Sequence, residues 1–186
     1  MFNFNNQPSL FDYLIDKIEN EWQPDWSMKE EREFRDDLIR FLNRKLSRSH
    51  IIRPEDGRGL ADIGIDRKIG IELKLNLHSK SQIDRLIGQM QEYLQDYDEV
   101  IVLLLGRVSP TVVREVEHRI SQLVEREEEA NPLFGNLFES RTKTVKVIVK
   151  WPGKPKAKKP RSDNKEDDSI ASIFKNIQSR LEDLGF

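Results

Sequence analysis

The chain has 186 residues, of which 37% are hydrophobic and 34% are charged, and its formal net charge is −2. This composition is typical of a soluble protein with one globular domain, a charged surface and an appendage. The absence of cysteine excludes disulfides, thiolate nucleophiles and cysteine-ligated metals, and the 3 histidines are scattered along the chain. Any bound metal should therefore be a hard cation held by carboxylates.

No apolar run approaches the roughly 20 residues that a membrane span requires. The N-terminus also lacks the basic-then-apolar order of a secretory signal. The sequence therefore predicts a cytoplasmic protein without membrane contact.

The first part of the chain contains two segments with helical periodicity. Residues 8–22 predict an entry helix with a proline at its start, and residues 28–46 predict a stronger helix whose apolar side chains recur every four residues. A short strand is expected over 50–53, because Pro54 opens a polar turn directly after it.

The next part alternates strands and helices, beginning with a hairpin over 59–77. After the hairpin we expect a helix over 79–97 capped by Ser79, a buried strand over 99–106, a helix over 109–129 and a strand over 143–151. Residues 1–151 are thus predicted to form one α/β domain with a mixed sheet flanked by helices, in which a helix joins two parallel strands.

The hairpin carries charged residues at alternating positions, which separates a charged face from an apolar face. A three-residue loop over 66–68 pairs Asp62 with Glu72, whereas a two-residue loop over 67–68 mixes the faces. Lys74 follows on the charged face. Neighbouring carboxylates destabilise a sheet unless a cation neutralises them, and a divalent cation would do so. The hairpin by itself favours the other interpretation, the solvated face of an amphipathic hairpin.

Two helices carry polar residues at positions that accompany this pattern. Glu31 lies at helical spacing from Phe34, on or beside the apolar face, where a carboxylate is costly unless it is paired. The alternative is an exposed first-turn position favoured by the helix dipole. Gln89 and Tyr93 share one stripe of the helix over 79–97, either facing a partner or as boundary residues with satisfied polar groups.

Taken together, these residues resemble the PD-(D/E)xK nuclease superfamily. Asp62 followed by Glu72-Leu73-Lys74 across a hairpin resembles its signature, with Ala61 where the name-giving proline stands. The resemblance covers about residues 28–151 and implies the restriction-endonuclease-like αβββαβ core.

Two further segments resemble particular branches of this superfamily. The start of the helix over 28–46 resembles the helical glutamate of archaeal Holliday-junction resolvases, with Glu31 favoured over Glu33 as the matching acid. Gln89 and Tyr93 are similar to the Q-x-x-x-Y motif of the RecB-like branch.

The resemblance implies a role for each of these residues in DNA hydrolysis. Asp62, Glu72 and the main-chain carbonyl of Leu73 are expected to bind Mg²⁺ or Mn²⁺, which neutralises charge on the scissile phosphate and acidifies a bound water. Lys74 is expected to hold or help deprotonate the attacking water. Glu31 is expected to orient that water or to reach a second metal site through solvent.

The helix over 79–97 is expected to contribute to the same chemistry. By the resemblance, Gln89 contacts the substrate or braces the catalytic lysine. Tyr93 is expected to bind substrate beside it.

Beyond residue 151 the composition changes abruptly. Residues 152–168 are predicted to form a flexible charged linker, because they combine prolines and charges with no large apolar side chain. Four lysines in its basic first part are expected either to contact DNA phosphates or to act as a solubilising tether; they are Lys154, Lys156, Lys158 and Lys159.

Residues 169–186 regain helical periodicity and predict a C-terminal amphipathic helix. This helix is expected to dock on the domain or to pair with a second copy in a homodimer. A third interpretation is a hook that binds a sliding clamp, which rests on a loose resemblance of Gln178, Leu181, Leu184 and Phe186 to a clamp-binding motif.

The sequence therefore predicts a Mg²⁺-dependent deoxyribonuclease, of a superfamily with DNA repair and recombination enzymes among its members. One alternative is a non-catalytic nucleic-acid-binding protein of the same fold. A second alternative is a structural protein that assembles through its terminal helix.

Overall fold

The computed structural model describes residues 8–56, 61–130 and 143–152. They form an α/β fold in which the helices and strands are α1 (Leu10–Asp16, continued by a π-helical turn over Lys17–Glu21), α2 (Glu31–Lys45), β1 (Ile52–Asp56), β2 (Ala61–Ile65), β3 (Ile69–Leu75), α3 (Lys80–Asp96), β4 (Glu99–Leu105), α4 (Pro110–Ala130) and β5 (Thr144–Lys150). The linker beyond Pro152 and the C-terminal helix expected over 169–186 lie outside the described residues.

The five strands form one mixed sheet in the order β1-β2-β3-β4-β5. β1, β2 and β3 are antiparallel neighbours, whereas β4 is parallel to both β3 and β5. Because α3 follows β3 and precedes β4, it serves as the connection between two parallel strands. The predicted mixed sheet with flanking helices is therefore confirmed.

Helices cover both faces of the sheet. α1 and α2 pack on one face, where the four-residue spacing of Phe34, Leu38 and Leu42 buries these side chains. α3 and α4 pack on the other face. The side chains of β4 alternate between the two faces, so its continuous apolar sequence is explained by burial on both sides.

The hairpin of β2 and β3 has the predicted three-residue loop. Ile65 pairs with Ile69, and Ile63 pairs with Ile71. The loop residues Asp66 and Arg67 have left-handed backbone conformations, with φ of 53° and 54°. This register places Asp62 and Glu72 on the same face of the sheet, as predicted.

The first strand differs from its predicted bounds. β1 runs over Ile52–Asp56 rather than 50–53 and includes Pro54, which pairs with Ile63. β1 is the edge strand of the sheet, and a proline is tolerated there because its missing N–H can face away from the neighbouring strand. Within the described ranges, none of the helices is long and apolar enough to cross a membrane.

Candidate active site

Asp62 and the main chain of β3 mark the start of the candidate site. The carboxylate Oδ2 of Asp62 accepts a hydrogen bond of 2.8 Å from the Leu73 amide. The paired residues of β2 and β3 end at Ile63 and Ile71. The side chain of Asp62 thus accepts a hydrogen bond from β3 just beyond the last residue pair of the two strands.

Glu72 is the centre of the site and is 1% exposed. Its Oε1 accepts a hydrogen bond of 2.5 Å from the Lys74 Nζ, and its Oε2 accepts one of 2.9 Å from the Tyr93 hydroxyl. The face that carries Glu72 is therefore covered, and the interpretation of a solvated hairpin face is wrong. This face is covered because α3 packs on it and directs the buried side chain of Tyr93 toward Glu72.

Glu31 connects the start of α2 to the same strand. Its Oε1 accepts a hydrogen bond of 2.8 Å from the Leu75 amide, and its Oε2 lies 3.7 Å from the Lys74 Nζ. Glu33 instead accepts hydrogen bonds from the main-chain amides of Lys29 and Glu30, which caps the helix. Of the two acids considered from the sequence, the structure therefore brings Glu31 to the site.

Gln89 and Tyr93 stand one turn apart on α3. The Gln89 Nε2 donates to the Tyr93 hydroxyl at 3.3 Å, while the buried Oε1 of Gln89 has no hydrogen-bond partner. The expectation that Tyr93 binds substrate differs from what is found, because its side chain is 0% exposed and its hydroxyl is directed at Glu72. Tyr93 braces a carboxylate rather than presenting a surface.

Burial and mutual repulsion shape the protonation of the site. Burial and the neighbouring Glu72 carboxylate raise the pKa of Asp62 to about 6, although the Leu73 amide and Lys74 oppose this shift. Burial acts to lower the pKa of Lys74, but the carboxylates of Glu72, Glu31 and Asp62 outweigh it, so the pKa is raised. Lys74 is consequently an ammonium at neutral pH.

Burial also raises the pKa of the Tyr93 hydroxyl, and the negative charge of Glu72 adds to this effect. The hydroxyl is therefore protonated at all ordinary pH values. It acts as a hydrogen-bond donor to the carboxylate.

The chemistry of the donor set fits a hard divalent cation. Asp62 and Glu72 supply carboxylate oxygens from the same sheet face, and a bound cation would offset the burial and the repulsion from Glu72 that raise the pKa of Asp62. Three or more metal-ligating side chains do not cluster anywhere in the part of the chain that the structure describes. A site with two carboxylate ligands is compatible with Mg²⁺, which proteins bind through one or two carboxylates while it keeps several waters.

Most of the sequence-predicted site residues thus meet in one place. The structure brings together Asp62, Glu72, Lys74, Glu31, Gln89 and Tyr93. The role of the Leu73 carbonyl as a metal ligand remains a prediction, and the four linker lysines lie outside the described residues. Sequence reasoning did not find the hydrogen bond from the Leu75 amide to Glu31, because a main-chain donor leaves no signal in side-chain patterns.

Comparisons with models of protein families, with characterised proteins and with solved structures gave no significant match.

Proposed function

We propose that this protein is a divalent-metal-dependent nuclease with a restriction-endonuclease-like core, which hydrolyses DNA phosphodiester bonds. The observation that carries the proposal is the convergence of Asp62, Glu72, Lys74 and Glu31 at the carboxyl-terminal end of β3. The element order from α2 to β4 agrees with the αβββαβ order that the resemblance implies.

Asp62 and Glu72 are the residues that would hold the ion. A bound Mg²⁺ or Mn²⁺ supplies charge neutralisation on the scissile phosphate and lowers the pKa of a coordinated water. Tyr93 holds Glu72 in place through its hydroxyl, and the Leu73 amide orients Asp62. The two carboxylates are therefore fixed before any ligand arrives, which is the arrangement expected of a preorganised site.

Lys74 acts as a cation and hydrogen-bond donor rather than as a general base. Its raised pKa keeps it protonated at neutral pH, so it can hold the attacking water and stabilise negative charge on the phosphate oxygens. Glu31 positions this ammonium from the α2 side. Of the two roles considered for the lysine, holding the water is the one that its protonation favours.

The test is the cleavage of labelled duplex, single-stranded, flap and four-way DNA by the full chain with Mg²⁺, Mn²⁺ or EDTA. We expect cleavage of at least one substrate with either metal and none with EDTA. Lys74→Ala should lose cleavage by two orders of magnitude or more while DNA binding is retained.

The matched control is Lys68→Ala, which removes an exposed cation from the hairpin loop at the opposite end of β3. It should cleave as the parent does. Full activity of a folded Lys74→Ala protein contradicts the assigned role. The absence of metal-dependent cleavage of every substrate favours a non-catalytic or assembly protein.

A further inference from the structure

A groove lies beside the candidate active site, at the carboxyl-terminal ends of β3 and β4. Its volume is ≈ 460 Å³, and Trp26, Phe34, Leu75 and Arg107 are among the residues that line it. Pockets of about 300–1,000 Å³ hold small molecules in proteins.

The groove and the acidic site share a boundary at the end of β3. Leu75 lines the groove, and its amide donates to Glu31 of the site. Lys74, the preceding residue, projects to the other face of the sheet because strand side chains alternate. A polynucleotide strand that crosses this end of β3 therefore meets both the acidic cluster and the groove.

One wall of the groove includes two residues with left-handed backbone conformations. Asn76 and Gly106 follow β3 and β4 with φ of 53° and 79°. The Oδ1 of Asn76 accepts a hydrogen bond of 3.0 Å from the Arg107 amide, and a Cβ on Gly106 would lie 2.4 Å from that oxygen. The corner that carries Arg107 therefore requires the glycine, and the Asn76 side chain ties this corner to the end of β3.

The lining combines an aromatic ring with positive charge. Trp26 is half-buried and packs against Phe34 with 5.7 Å between the ring centroids. Lys29 and Arg107 are exposed at the groove, and none of the described lining residues is acidic. Aromatic side chains flanked by cations are the chemistry that binds single-stranded nucleic acid, through base stacking and phosphate contacts.

We propose that this groove binds one unpaired nucleotide of the DNA substrate next to the scissile bond. The base lies against Trp26, and the flanking phosphates lie at Lys29 and Arg107. The proposal rests on the proposed nuclease function and specifies its substrate class, which is DNA with a single-stranded segment at the cleavage position. A base inside a duplex is stacked on both sides and has no free face for an aromatic side chain.

The first arm of the test measures binding of a labelled single-stranded oligonucleotide and of the matching duplex by anisotropy, in EDTA. Trp26→Leu keeps apolar volume but removes the ring, and it should weaken single-strand binding about five-fold or more, as expected for one lost stacking contact. Trp26→Phe keeps a ring and should retain most of the affinity. The duplex affinity should not change in either variant.

The second arm measures the salt dependence of single-strand binding. Lys29→Ala combined with Arg107→Ala should reduce the slope of log affinity against log salt by about 1.4, because each phosphate contact contributes about 0.7. The control removes the same number of cations by Arg53→Ala with Lys68→Ala near the hairpin loop. Its slope should equal that of the parent.

The proposal is overturned if Trp26→Leu binds the single strand as tightly as the parent, if the control pair lowers the slope equally, or if the parent shows no measurable binding. Cleavage with Mg²⁺ or Mn²⁺ is scored separately. A chain that shows the expected binding effects but cleaves no DNA refutes the nuclease and leaves the groove as a nucleotide-binding site.

Discussion

At the scale of single residues, the site depends on a carboxylate that is almost completely removed from water. Glu72 is 1% exposed and is compensated by the Lys74 ammonium and the Tyr93 hydroxyl. Taking an ion pair out of water costs several kcal/mol per ion, which only good geometry and further hydrogen bonds offset. Buried, perturbed charges of this kind cluster at functional sites, and this burial is therefore expected of a functional site rather than of an ordinary surface hairpin.

Removing the Tyr93 hydroxyl tests this compensation. We expect Tyr93→Phe to lower the free energy of unfolding by about 1.5–3 kcal/mol in EDTA, because a buried carboxylate loses a hydrogen-bond donor. Urea unfolding measures the change. Tyr13→Phe is the control, because the Tyr13 hydroxyl donates to the Lys45 carbonyl in an exposed position and its loss should cost less than about 1 kcal/mol. Equal costs for the two variants contradict the compensation of Glu72.

The protonation of Asp62 gives a prediction with a definite sign. Its pKa is raised to about 6, above the value of about 3.9 in an unfolded chain. Between these values the folded protein binds the proton more tightly than the unfolded chain does, so stability falls as pH rises through this range.

In EDTA, Asp62→Asn should therefore gain stability relative to the parent by about 1–3 kcal/mol as pH rises from about 4 to about 7. The asparagine has no charge to desolvate and still offers an oxygen to the Leu73 amide. Urea unfolding of both proteins across this pH range measures the difference. A difference that stays constant with pH shows that the carboxyl has an ordinary pKa.

At the scale of elements, β3 and α3 hold the site together. β3 supplies Glu72 and Lys74, and α3 covers their face of the sheet. Gly70 of β3 lies close to the ring of Tyr97, the residue directly after α3. The absence of a side chain at Gly70 permits this close approach. A Cβ on Gly70 would lie 2.9 Å from the Cδ2 of this buried tyrosine.

Two glycine substitutions separate packing from helix propensity. Gly70→Ala should lower the free energy of unfolding by about 1–3 kcal/mol, because the added methyl group overpacks against Tyr97. Gly88→Ala should raise it by about 0.5–1 kcal/mol, because Gly88 lies inside α3 and a Cβ there meets nothing within 4 Å. Thermal or urea unfolding compares the two. Destabilisation by both substitutions contradicts the open surroundings of Gly88.

At the scale of the whole molecule, the candidate site lies at the carboxyl-terminal end of the central strand, and hydrophobic cores cover both faces of the sheet. The acidic cluster and the groove with Trp26 both lie at the carboxyl-terminal end of β3. Beyond Pro152 the linker expected over 152–168 lies outside the described residues, and its contribution to DNA binding requires a test on the full chain.

Replacement of the four linker lysines by glutamine tests that contribution. We expect KM for DNA to rise and kcat to stay constant, and the salt slope of binding to fall by up to about 3.6, because each phosphate contact contributes about 0.7–0.9. The variant carries changes at Lys154, Lys156, Lys158 and Lys159. Replacement of the same lysines by arginine keeps the charge and should leave the slope unchanged. Identical slopes for the glutamine variant and the parent identify the linker as a tether only.

The amino-acid sequence by itself determined the local features of this protein. The alternation of charged and apolar residues predicted the three-residue loop and placed Asp62 and Glu72 on one face, because side-chain direction in a strand has a period of two. Ser79 predicted the start of α3, since a serine at this position can accept a hydrogen bond from the amide of the third helical residue, as it does here. The bounds of β1 could not be predicted, because tolerance of Pro54 depends on being at the edge of the sheet.

Only the tertiary structure decided which of these charges are enclosed and what they contact. Glu31 meets the amide of Leu75 across 44 residues of sequence, and Tyr93 meets Glu72 across 21. The pattern of α3 placed Tyr93 on the stripe of Gln89 but did not say that this stripe lies over the charged face of the hairpin. Burial and long-range hydrogen bonds arise from the packing of whole elements, so no local pattern of residues encodes them.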